Sequence, residues 1–283
     1  MLTIGYGSEG PAHGFVMGRS VVTNAENHLH RNYVLNFDLK DFFPSVTASR
    51  VASGLKRQGI SERVAWFITR LCTRTVLDDD IPEEVLPQGA PTSPILSNIA
   101  CDMMDLRLEG LADRFGLHYT RYADDITFSS HHSVYAKDSI FWKELEDIIS
   151  ANGFRINPAK TRLQKKGSRQ EVTGLTVGDK VNVSRKWLKN LRAQIFQMEM
   201  HGASKLEFRR VMGKIAFLSM VRDNDDLCQR MRERAIWAYR MIPMLEQHWL
   251  PRHNRYAVCE HGIDYEPLDD PFMFSDFGSC STP

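Results

Sequence analysis

Apolar and polar positions in the first 183 residues follow two periods, one that predicts strands and one that predicts helices. Residues 33–43, YVLNFDLKDFF, are β-branched and aromatic enough for a buried strand that ends before Pro44. HYTRY and ITFSS, on either side of residues 123–125, predict a hairpin. Further strands are expected around 154–157, 171–177 and 180–183.

Apolar residues at helical spacing predict three helices in the same part of the chain. They run from about Ala48 to Thr73, from Pro94 to Phe115 and from about Ser139 to Ala151. An earlier helix is expected to start at Thr23 or Asn24. Residues 77–85, LDDDIPEEV, are expected to form an acidic loop, and residues 86–94, LPQGAPTSP, hold too much Pro and Gly for a helix or a strand.

Beyond Ser184 the pattern is helical only. Ser184 is suited to cap a helix, and Trp187 and Leu191 follow it along one face. Similar apolar faces recur near 204–221 and 225–242. Helices and strands that alternate up to about residue 183 predict an α/β or α+β body, and the later helices predict a helical appendage.

The composition is that of a globular protein, with 42% hydrophobic residues, 25% charged residues and a formal net charge of +1. Charge is uneven, because residues 154–195 hold eleven Lys or Arg and two acids, whereas no Lys or Arg follows Arg255. Five widely spaced cysteines without a C-x-x-C pair favour free thiols over disulfides or a zinc site. Without a long apolar run or a leader, we expect a cytoplasmic protein that does not bind a membrane.

Two adjacent aspartates, Asp124 and Asp125, lie at the tip of the predicted hairpin. Asp-Asp in this position is often only a solvated turn. A third acid, Asp38, lies inside the predicted buried strand, where an unpaired carboxylate is costly. If the strand end meets the hairpin tip, the three carboxylates form a set of hard oxygen ligands suited to Mg²⁺. Two such ions promote in-line phosphoryl transfer.

Four short motifs follow one another along the chain, each in a suitable local structure: FDLKDFF, LPQGAPTSP, YADD and GFRINPAKT. Each alone is weak, since Asp38 could lie on an edge strand and P-Q-G is more often a loop. The ordered set resembles the palm motifs of reverse transcriptases, from about His13 to at least Val177. Residues 24–28, NAENH, and 172–174, VTG, further resemble patterns of bacterial retron reverse transcriptases.

Similarity to reverse transcriptases implies an α+β fold of the right-hand polymerase type. Its palm, an antiparallel sheet backed by helices, would span residues 1–183 together with partial fingers elements. A helical thumb would follow over 184–250, and an acidic tail over 251–283 would be disordered or bound to a partner. Because 37 residues precede Asp38, most of the fingers region is expected to be cut off, supplied by another polypeptide, or lost together with some activity.

The same resemblance assigns the metal site. Asp38, Asp124 and Asp125 would hold two Mg²⁺ ions, with the backbone carbonyl of Leu39 as a further ligand. Lys160 would protonate or neutralise the pyrophosphate leaving group. A template contact or a solvated lysine is the alternative for Lys160, because it lies in the basic stretch.

Residues for the incoming deoxynucleotide (dNTP) are implied as well. Phe43 matches an aromatic steric gate that would exclude a ribose 2′-OH, and the alternative is an ordinary core Phe. Asp41 would orient backbone amides under the triphosphate, and Tyr122 would pack near the primer terminus. Gln88 and Gly89 would line the nucleotide pocket, where glycine lets the backbone approach closely.

For RNA the resemblance implies two regions. Asn24 and His28, four positions apart and so on one face of a helix, would help to form a surface that holds the RNA. The alternative is a helix cap and a hydrogen-bonded histidine. The other implied RNA contacts lie in the V-T-G pattern and the thumb: Val172, Thr173, Gly174, Arg185 and Lys186. A solvated basic face is the alternative for the thumb.

We therefore expect an RNA-directed DNA polymerase of retron type, which copies a structured noncoding RNA into single-stranded DNA. The RNA would supply template and primer, the DNA product would stay with the protein, and an effector protein would be a further partner in antiphage defence. A group II intron-like reverse transcriptase is one alternative, disfavoured by NAENH and by the lack of a maturase or endonuclease extension. A catalytically weak scaffold for an RNA or an effector is the other.

Overall fold

The computed structural model describes residues 10–78 and 81–249. The tail predicted for residues 251–283 lies outside the described residues. In chain order the elements are α1 (Val21–Glu26), β1 (Tyr33–Asp38), α2 (Ala48–Arg57), α3 (Glu62–Cys72), β2 (Arg74–Asp78), β3 (Ile81–Val85), α4 (Ser93–Arg114), β4 (His118–Tyr122), β5 (Asp125–Ser130), α5 (Ile140–Ala151), β6 (Arg162–Lys165), β7 (Glu171–Val172), β8 (Leu175–Thr176), α6 (Arg185–His201), α7 (Lys205–Val221) and α8 (Asp226–Trp249).

A four-stranded antiparallel sheet in the order β4-β5-β1-β6 organises the first part of the chain. β1 pairs with β5 on one side and with β6 on the other. The register between β1 and β5 runs from Tyr33 opposite Ser130 to Asp38 opposite Asp125. β4 and β5 form the predicted hairpin, in which Tyr122 lies opposite Asp125.

One face of the sheet packs against α4 and α5 in a first hydrophobic core. Leu35 and Phe37 of β1 and Phe128 of β5 are buried there, and the rings of Phe37 and Phe128 stack with centroids 6.4 Å apart. Phe128 also meets Phe141 of α5 edge-on. This antiparallel sheet backed by helices confirms the predicted α+β fold.

A second hydrophobic core joins α6, α7 and α8 to the β7-β8 hairpin, to α1 and to β1. Its buried residues include Leu191, Ile215, Ala235, Val172, Ala25 and Val34. Val34 lies in this core and Leu35 in the first, because successive strand residues face opposite sides of a sheet. The predicted boundary between residues 183 and 184 thus falls inside one core, to which Val172 already belongs.

Two of the predicted elements between residues 48 and 85 are wrong. The long helix expected from Ala48 to Thr73 is two helices, because the chain turns at Gly59, whose φ of 83° suits glycine. The acidic segment expected as a loop is the β2-β3 hairpin, in which Leu77 lies opposite Pro82. Its residues are largely exposed, so the burial pattern that reveals a strand in sequence is missing.

α1 begins earlier than predicted. Ser20, rather than Thr23 or Asn24, is the N-cap, and its side-chain oxygen accepts hydrogen bonds from the backbone N–H groups of Val22 and Thr23. The Thr23 hydroxyl in turn accepts a bond from the backbone N–H of Ser20, which completes a capping box. Thr23 is therefore the third residue of the helix, and the polar residue that starts the helix lies one turn before it.

The strand expected around residues 154–157 is reduced to one bridge, between Ile156 and Leu39. The fourth strand of the sheet is instead β6, which the sequence did not reveal. Leu163 is 39% exposed and the neighbouring side chains are mostly exposed as well, so β6 lacks the alternation of buried and exposed residues that marks a strand.

Two expectations from composition can be compared with the described residues. Cys72, Cys101 and Cys228 are free thiols. None of the helices in the described ranges is long and apolar enough to cross a lipid bilayer.

Candidate active site

Asp38, Asp124 and Asp125 meet where β1 ends beside the turn between β4 and β5. Asp38 is the last residue of β1 and lies directly opposite Asp125, the first residue of β5. Asp124 is the second residue of the two-residue turn, and its carbonyl accepts a hydrogen bond from the backbone N–H of Leu39 at 2.9 Å. Antiparallel pairing thus brings together acids that are far apart in sequence.

The backbone of β1 is held on its other side by the segment after α5. The N–H of Lys40 donates to the carbonyl of Arg155 at 2.8 Å, and the N–H of Asn157 donates to the carbonyl of Asp38 at 2.9 Å. The N–H of Leu39 points toward Asp124, and in an extended chain the C=O of a residue points to the same side as its N–H. The backbone carbonyl of Leu39, which is predicted as a metal ligand, therefore faces the hairpin turn.

The three acids repel one another, and burial strengthens the effect. Burial, followed by the charges of Asp38 and Asp124, raises the pKa of Asp125 to about 7. Burial also raises the pKa of Asp124, with the charge of Asp38 as a further cause. A bound cation would offset the repulsion between these carboxylates and would stabilise their ionised forms.

Lys160 reaches this cluster and forms an ion pair with Asp38 through Nζ and Oδ2. The hydrogen bond and the charge of Asp38 raise the pKa of Lys160, so its ammonium acts as a counter-charge. As the side chains stand, no group of three or more His, Cys, Asp or Glu residues within 10–78 and 81–249 is arranged to hold a metal ion. The three acids are therefore adjacent in the backbone without their side chains closing around one point.

Asp41 and Phe43 lie in the turn that follows β1. Phe43 is half-buried against the first core, with its ring edge-on to that of Phe42 at 5.3 Å between centroids. Asp41 is exposed, has a φ of 48°, and its carbonyl accepts a hydrogen bond from the N–H of Ser45 at 2.9 Å. The sequence order places both residues within five positions of Asp38, and their nucleotide roles stay predictions.

The other predicted nucleotide-pocket residues are exposed or half-buried. Gln88 and Gly89 form a turn before α4, and the φ of 91° at Gly89 is one that glycine adopts readily. Tyr122 is half-buried at the end of β4. Hydrogen bonds of the described residues do not join Gln88 or Gly89 to the three aspartates. A pocket that includes all of them stays a prediction.

Asn24 and His28 are buried rather than exposed on the surface. His28 is fully buried, and its ring nitrogens lie 2.6 Å from Oγ of Ser129 and 2.7 Å from Oγ1 of Thr120. Burial lowers the pKa of His28 to about 3, so the ring is neutral. Asn24 is 1% exposed and donates to Oγ1 of Thr173 at 3.4 Å. Both side chains point inward, and the alternative of a hydrogen-bonded histidine agrees with the structure; a part in holding the RNA stays a prediction.

The V-T-G pattern, residues 172–174, packs against α1, the helix that carries Asn24. Val172 is buried in the second core, whereas Thr173 and Gly174 form the turn between β7 and β8 with φ values of 47° and 81°. Two successive positive φ values are typical of a type I′ hairpin. The Thr173 hydroxyl donates to the carbonyl of Val21 at 3.3 Å. The burial of Val172 contradicts a direct RNA contact for its side chain, while Gly174 is exposed and stays a predicted contact.

Arg185 and Lys186 are exposed in the first turn of α6. Ser184 caps this helix as predicted, since its hydroxyl accepts a bond from the N–H of Trp187 at 3.2 Å. Cations at a helix N-terminus oppose the helix dipole, so these two residues gain nothing there in stability. A phosphate at the same place would be favoured by the dipole and by both charges.

A buried polar cluster beneath the aspartate turn was not predicted from the sequence. Its members are Gly14, Asn98, Asp105, Tyr119 and Arg121. A usable signal existed, because Arg121 is a charged residue within the predicted hairpin strand and Asp105 lies between Cys101 and Leu108 on the apolar face of a predicted helix. A buried charge of each sign within one core implies that the two are paired.

Comparison with known proteins indicates the family of the chain. The family model described as "Reverse transcriptase (RNA-dependent DNA polymerase)" matches residues 8–188. The chain is 38% identical over 237 residues to the Retron Mx162 reverse transcriptase of Myxococcus xanthus, covering 75% of this chain and 49% of that protein. It is 36% identical over 212 residues to the Retron Ec86 reverse transcriptase of Escherichia coli, covering 74% of this chain and 62% of that protein. The chain spans about half the length of the curated relatives it matches.

Solved structures show a more distant likeness. Telomerase from Candida albicans, in complex with a TWJ fragment of telomeric RNA, gives a TM-score of 0.45 at 12% identity, covering 81% of this chain and 49% of that chain; no conclusion depends on it. The family model, in contrast, covers the whole sheet and the aspartate turn. Because that match extends over more than half of the chain, the protein belongs to the reverse transcriptase (RNA-dependent DNA polymerase) family, and it is similar to retron members of that family.

Proposed function

We propose that the protein is an RNA-directed DNA polymerase of retron type, which copies a structured noncoding RNA into single-stranded DNA. The observation that carries the proposal is the pairing of β1 with β5, which sets Asp38 opposite Asp125 and beside Asp124. Phosphoryl transfer depends mainly on positioning and on neutralising charge, and adjacent acids at a sheet edge suit both. Membership of the reverse transcriptase family supports the same reaction.

The donor set fits two Mg²⁺ ions. Asp38, Asp124 and Asp125, with the carbonyl of Leu39, offer hard oxygen ligands. The pKa of Asp125 is raised by burial and then by the charges of Asp38 and Asp124, and Lys160 offsets only part of this effect. When bound, Mg²⁺ activates the attacking hydroxyl and neutralises the phosphates. Lys160, which pairs with Asp38 in the structure, would be free to neutralise the pyrophosphate leaving group if Asp38 held a metal ion instead.

Selection of the dNTP is assigned to the turn after β1 and to the loop before α4. The ring of Phe43, held against Phe42, would exclude a ribose 2′-OH by its bulk. Asp41 would orient backbone amides under the triphosphate, and Gln88 with Gly89 would line the pocket. The half-buried Tyr122, at the start of the aspartate turn, would support the primer terminus.

RNA would lie along the basic face that includes Arg185 and Lys186, with Gly174 as a neighbouring contact. Exposed cations at the N-terminus of α6 favour phosphate binding of this kind. Asn24, His28 and Val172 would act indirectly, by fixing the elements that carry the exposed contacts. Three finer parts of the proposal depend on the resemblance to retron enzymes alone: an effector protein partner, a DNA product that stays with the protein, and antiphage defence. A cytoplasmic location is proposed from the cysteines and the apolar pattern of the sequence.

The proposal is tested by DNA synthesis with purified protein, its cognate RNA, dNTPs and Mg²⁺. We expect synthesis by the natural protein, and loss of synthesis in the double variant Asp124→Asn with Asp125→Asn. A matched control, Asp138→Asn with Asp147→Asn, changes two exposed acids away from the turn and should leave synthesis unchanged. Equal synthesis by both double variants would refute the metal-site assignment.

The nucleic acid that co-purifies with the protein distinguishes the function from the scaffold alternative. Sequencing should reveal a short DNA joined to RNA, which would support the retron type. A bound RNA without any DNA, together with no synthesis by the natural protein, would instead favour a scaffold.

A further inference from the structure

Arg121, the residue before the Y-A-D-D box, is fully buried and is paired with Asp105 of α4. Its Nε donates to Oδ1 of Asp105 at 2.8 Å, and its Nη2 donates to Oδ2 at 2.6 Å. The hydroxyl of Tyr119 donates to the same Oδ1 at 2.7 Å. Burial by itself lowers the pKa of Arg121, but the charge of Asp105, its hydrogen bond to Arg121 and the neighbouring Cys101 and Tyr119 together outweigh burial. The pKa therefore lies well above its usual value and the guanidinium stays charged.

The remaining nitrogen of this guanidinium reaches the aspartate turn. Nη1 of Arg121 donates to the carbonyl of Ala123 at 3.1 Å and to Oδ1 of Asn98 at 3.1 Å. Asn98, also from α4, donates through Nδ2 to the carbonyl of Gly14 at 2.9 Å. One arginine therefore ties the residue that precedes Asp124 to the buried face of α4.

Gly14 lies directly against the turn. A Cβ at Gly14 would lie 2.6 Å from the backbone nitrogen of Ala123, so the approach requires glycine. The segment before Gly14 runs beside β4, since the N–H of Arg121 donates to the carbonyl of Pro11 at 2.9 Å and the N–H of His13 donates to the carbonyl of Arg121 at 2.7 Å. Ala123 is thus in close contact with this segment and is linked through Arg121 to α4.

The turn needs such support because of its conformation. Ala123 has a φ of 58°, which a residue with a Cβ adopts only when its surroundings hold it there. The hairpin has two turn residues, so any change at Ala123 is passed directly to Asp124 and Asp125. A buried ion pair generally stabilises a protein less than apolar side chains of similar volume would. We therefore ascribe to the pair between Arg121 and Asp105 the role of fixing the position of the turn.

We propose that Arg121, Asp105 and Asn98, together with Gly14, are positioning residues that hold Ala123 in its left-handed conformation and thereby aim Asp124 and Asp125. The inference rests on the proposed function, because it assigns a purpose to the aim of these two carboxylates. It concerns residues that do not touch substrate.

The decisive variant is Gly14→Ala in the full chain. Its control is Gly10→Ala, because a Cβ at Gly10 meets nothing within 4 Å and the residue lies in the same segment. Three quantities are measured: hydrogen exchange of the peptide over residues 121–126, binding of Mn²⁺ as a metal probe, and kcat and KM for dNTP.

We expect Gly14→Ala to exchange faster over the turn and to bind Mn²⁺ about 10- to 100-fold more weakly than the control. Its kcat should fall up to about 100-fold while the KM for dNTP changes little, because misplaced acids affect the reaction rather than nucleotide binding. Exchange, Mn²⁺ affinity and kcat equal to those of Gly10→Ala would overturn the inference.

A second pair of variants keeps the inference testable if the extra methyl group unfolds the protein. Asn98→Ala removes the link between Gly14 and Arg121, and Asn36→Ala removes an asparagine of β1 that likewise makes two side-chain bonds, to Thr127 and Gln164. At equal thermal stability, Asn98→Ala should exchange faster over residues 121–126, and Asn36→Ala should not. Equal exchange in this pair would contradict the inference.

The failure of this inference and the failure of the proposed function are distinguishable. If the natural protein makes no DNA, the proposed function fails, while hydrogen exchange and Mn²⁺ binding still report on the turn. If the natural protein makes DNA and Gly14→Ala behaves as its control does, only the positioning role fails.

Discussion

At the scale of single residues, the buried polar groups carry more information than the apolar ones. His28 is enclosed beneath the sheet, between a hydroxyl of β4 and a hydroxyl of β5. An imidazole in this place can accept one bond and donate the other only while it is neutral, because the protonated ring donates from both nitrogens. Its burial therefore links the stability of the protein to pH.

We predict that His28 makes the protein sensitive to acid. The ring has a pKa of about 3 in the folded protein and about 6.5 in an unfolded chain, so the unfolded state binds a proton first as the pH falls. Its contribution to stability is complete above about 6.5 and decreases by about 1.4 kcal/mol per pH unit between about 6.5 and about 3. Urea unfolding at several pH values measures this slope.

The matched variants are His28→Gln and His201→Gln. His28→Gln should unfold with a shallower pH dependence than the natural protein, because glutamine does not titrate. His201 is exposed at the end of α6, so His201→Gln should keep the natural slope. Identical slopes in all three proteins would refute the prediction.

Phe43 allows a prediction about sugar selection. If its ring is the steric gate, Phe43→Ala should raise the use of ribonucleotides relative to dNTPs by about 10- to 100-fold. Competition between dGTP and GTP during primer extension measures the ratio. Phe67→Ala, which removes an exposed ring from α3, is the control. Unchanged discrimination in Phe43→Ala would make Phe43 an ordinary core residue.

At the scale of elements, the sequence predicts the start of a helix correctly where one residue is suited to be the N-cap. It fails where several neighbouring residues are equally suited. Ser184 was predicted as a cap and is one. Ser20 was missed, because Thr23 and Asn24 are suitable caps by type and only the fold shows which polar residue precedes the first turn. The β2-β3 hairpin and β6 were missed because exposed strands carry no alternation of buried residues.

We predict that the cap of α6 contributes measurably to stability. Ser184→Ala removes the bond to the N–H of Trp187 and should lower the free energy of unfolding by about 1 kcal/mol. Ser61 provides a matched control, because it is the N-cap of α3 and makes no side-chain cap bond. Ser61→Ala should therefore change stability less than Ser184→Ala in urea unfolding. Equal losses would show that the cap bond of α6 does not form in solution.

At the scale of the whole molecule, two hydrophobic cores share the central sheet. Leu35 and Val34, neighbours in β1, belong to different cores, and α1 joins the second core through Ala25. NAENH and VTG, which looked like separate RNA motifs, meet through Asn24 and Thr173 in this region. Their contact connects the sheet to the C-terminal helices, which carry the exposed basic residues.

The basic face should give RNA binding a strong dependence on salt. Arg185→Gln with Lys186→Gln removes up to two phosphate contacts, so the slope of log K against log salt should become shallower by about 1.5. The control, Arg107→Gln with Lys143→Gln, removes two exposed cations from α4 and α5. Filter binding with the cognate RNA between low and high salt measures both slopes. Equal slopes for the two double variants would mean that this part of α6 does not contact RNA.

The sequence by itself determined an α/β or α+β body and the hairpin around Asp124 and Asp125, and its resemblance to reverse transcriptases implied the α+β palm fold and the convergence of these acids with Asp38. It could do so because strand periodicity and the cost of an unpaired buried carboxylate are local properties of the chain. Only the tertiary structure decided that Asn24, His28 and Val172 face inward, and that Arg121 and Gly14 hold the aspartate turn. Those properties depend on which surfaces meet, and pairings between residues more than a hundred positions apart leave no periodic signal in the sequence.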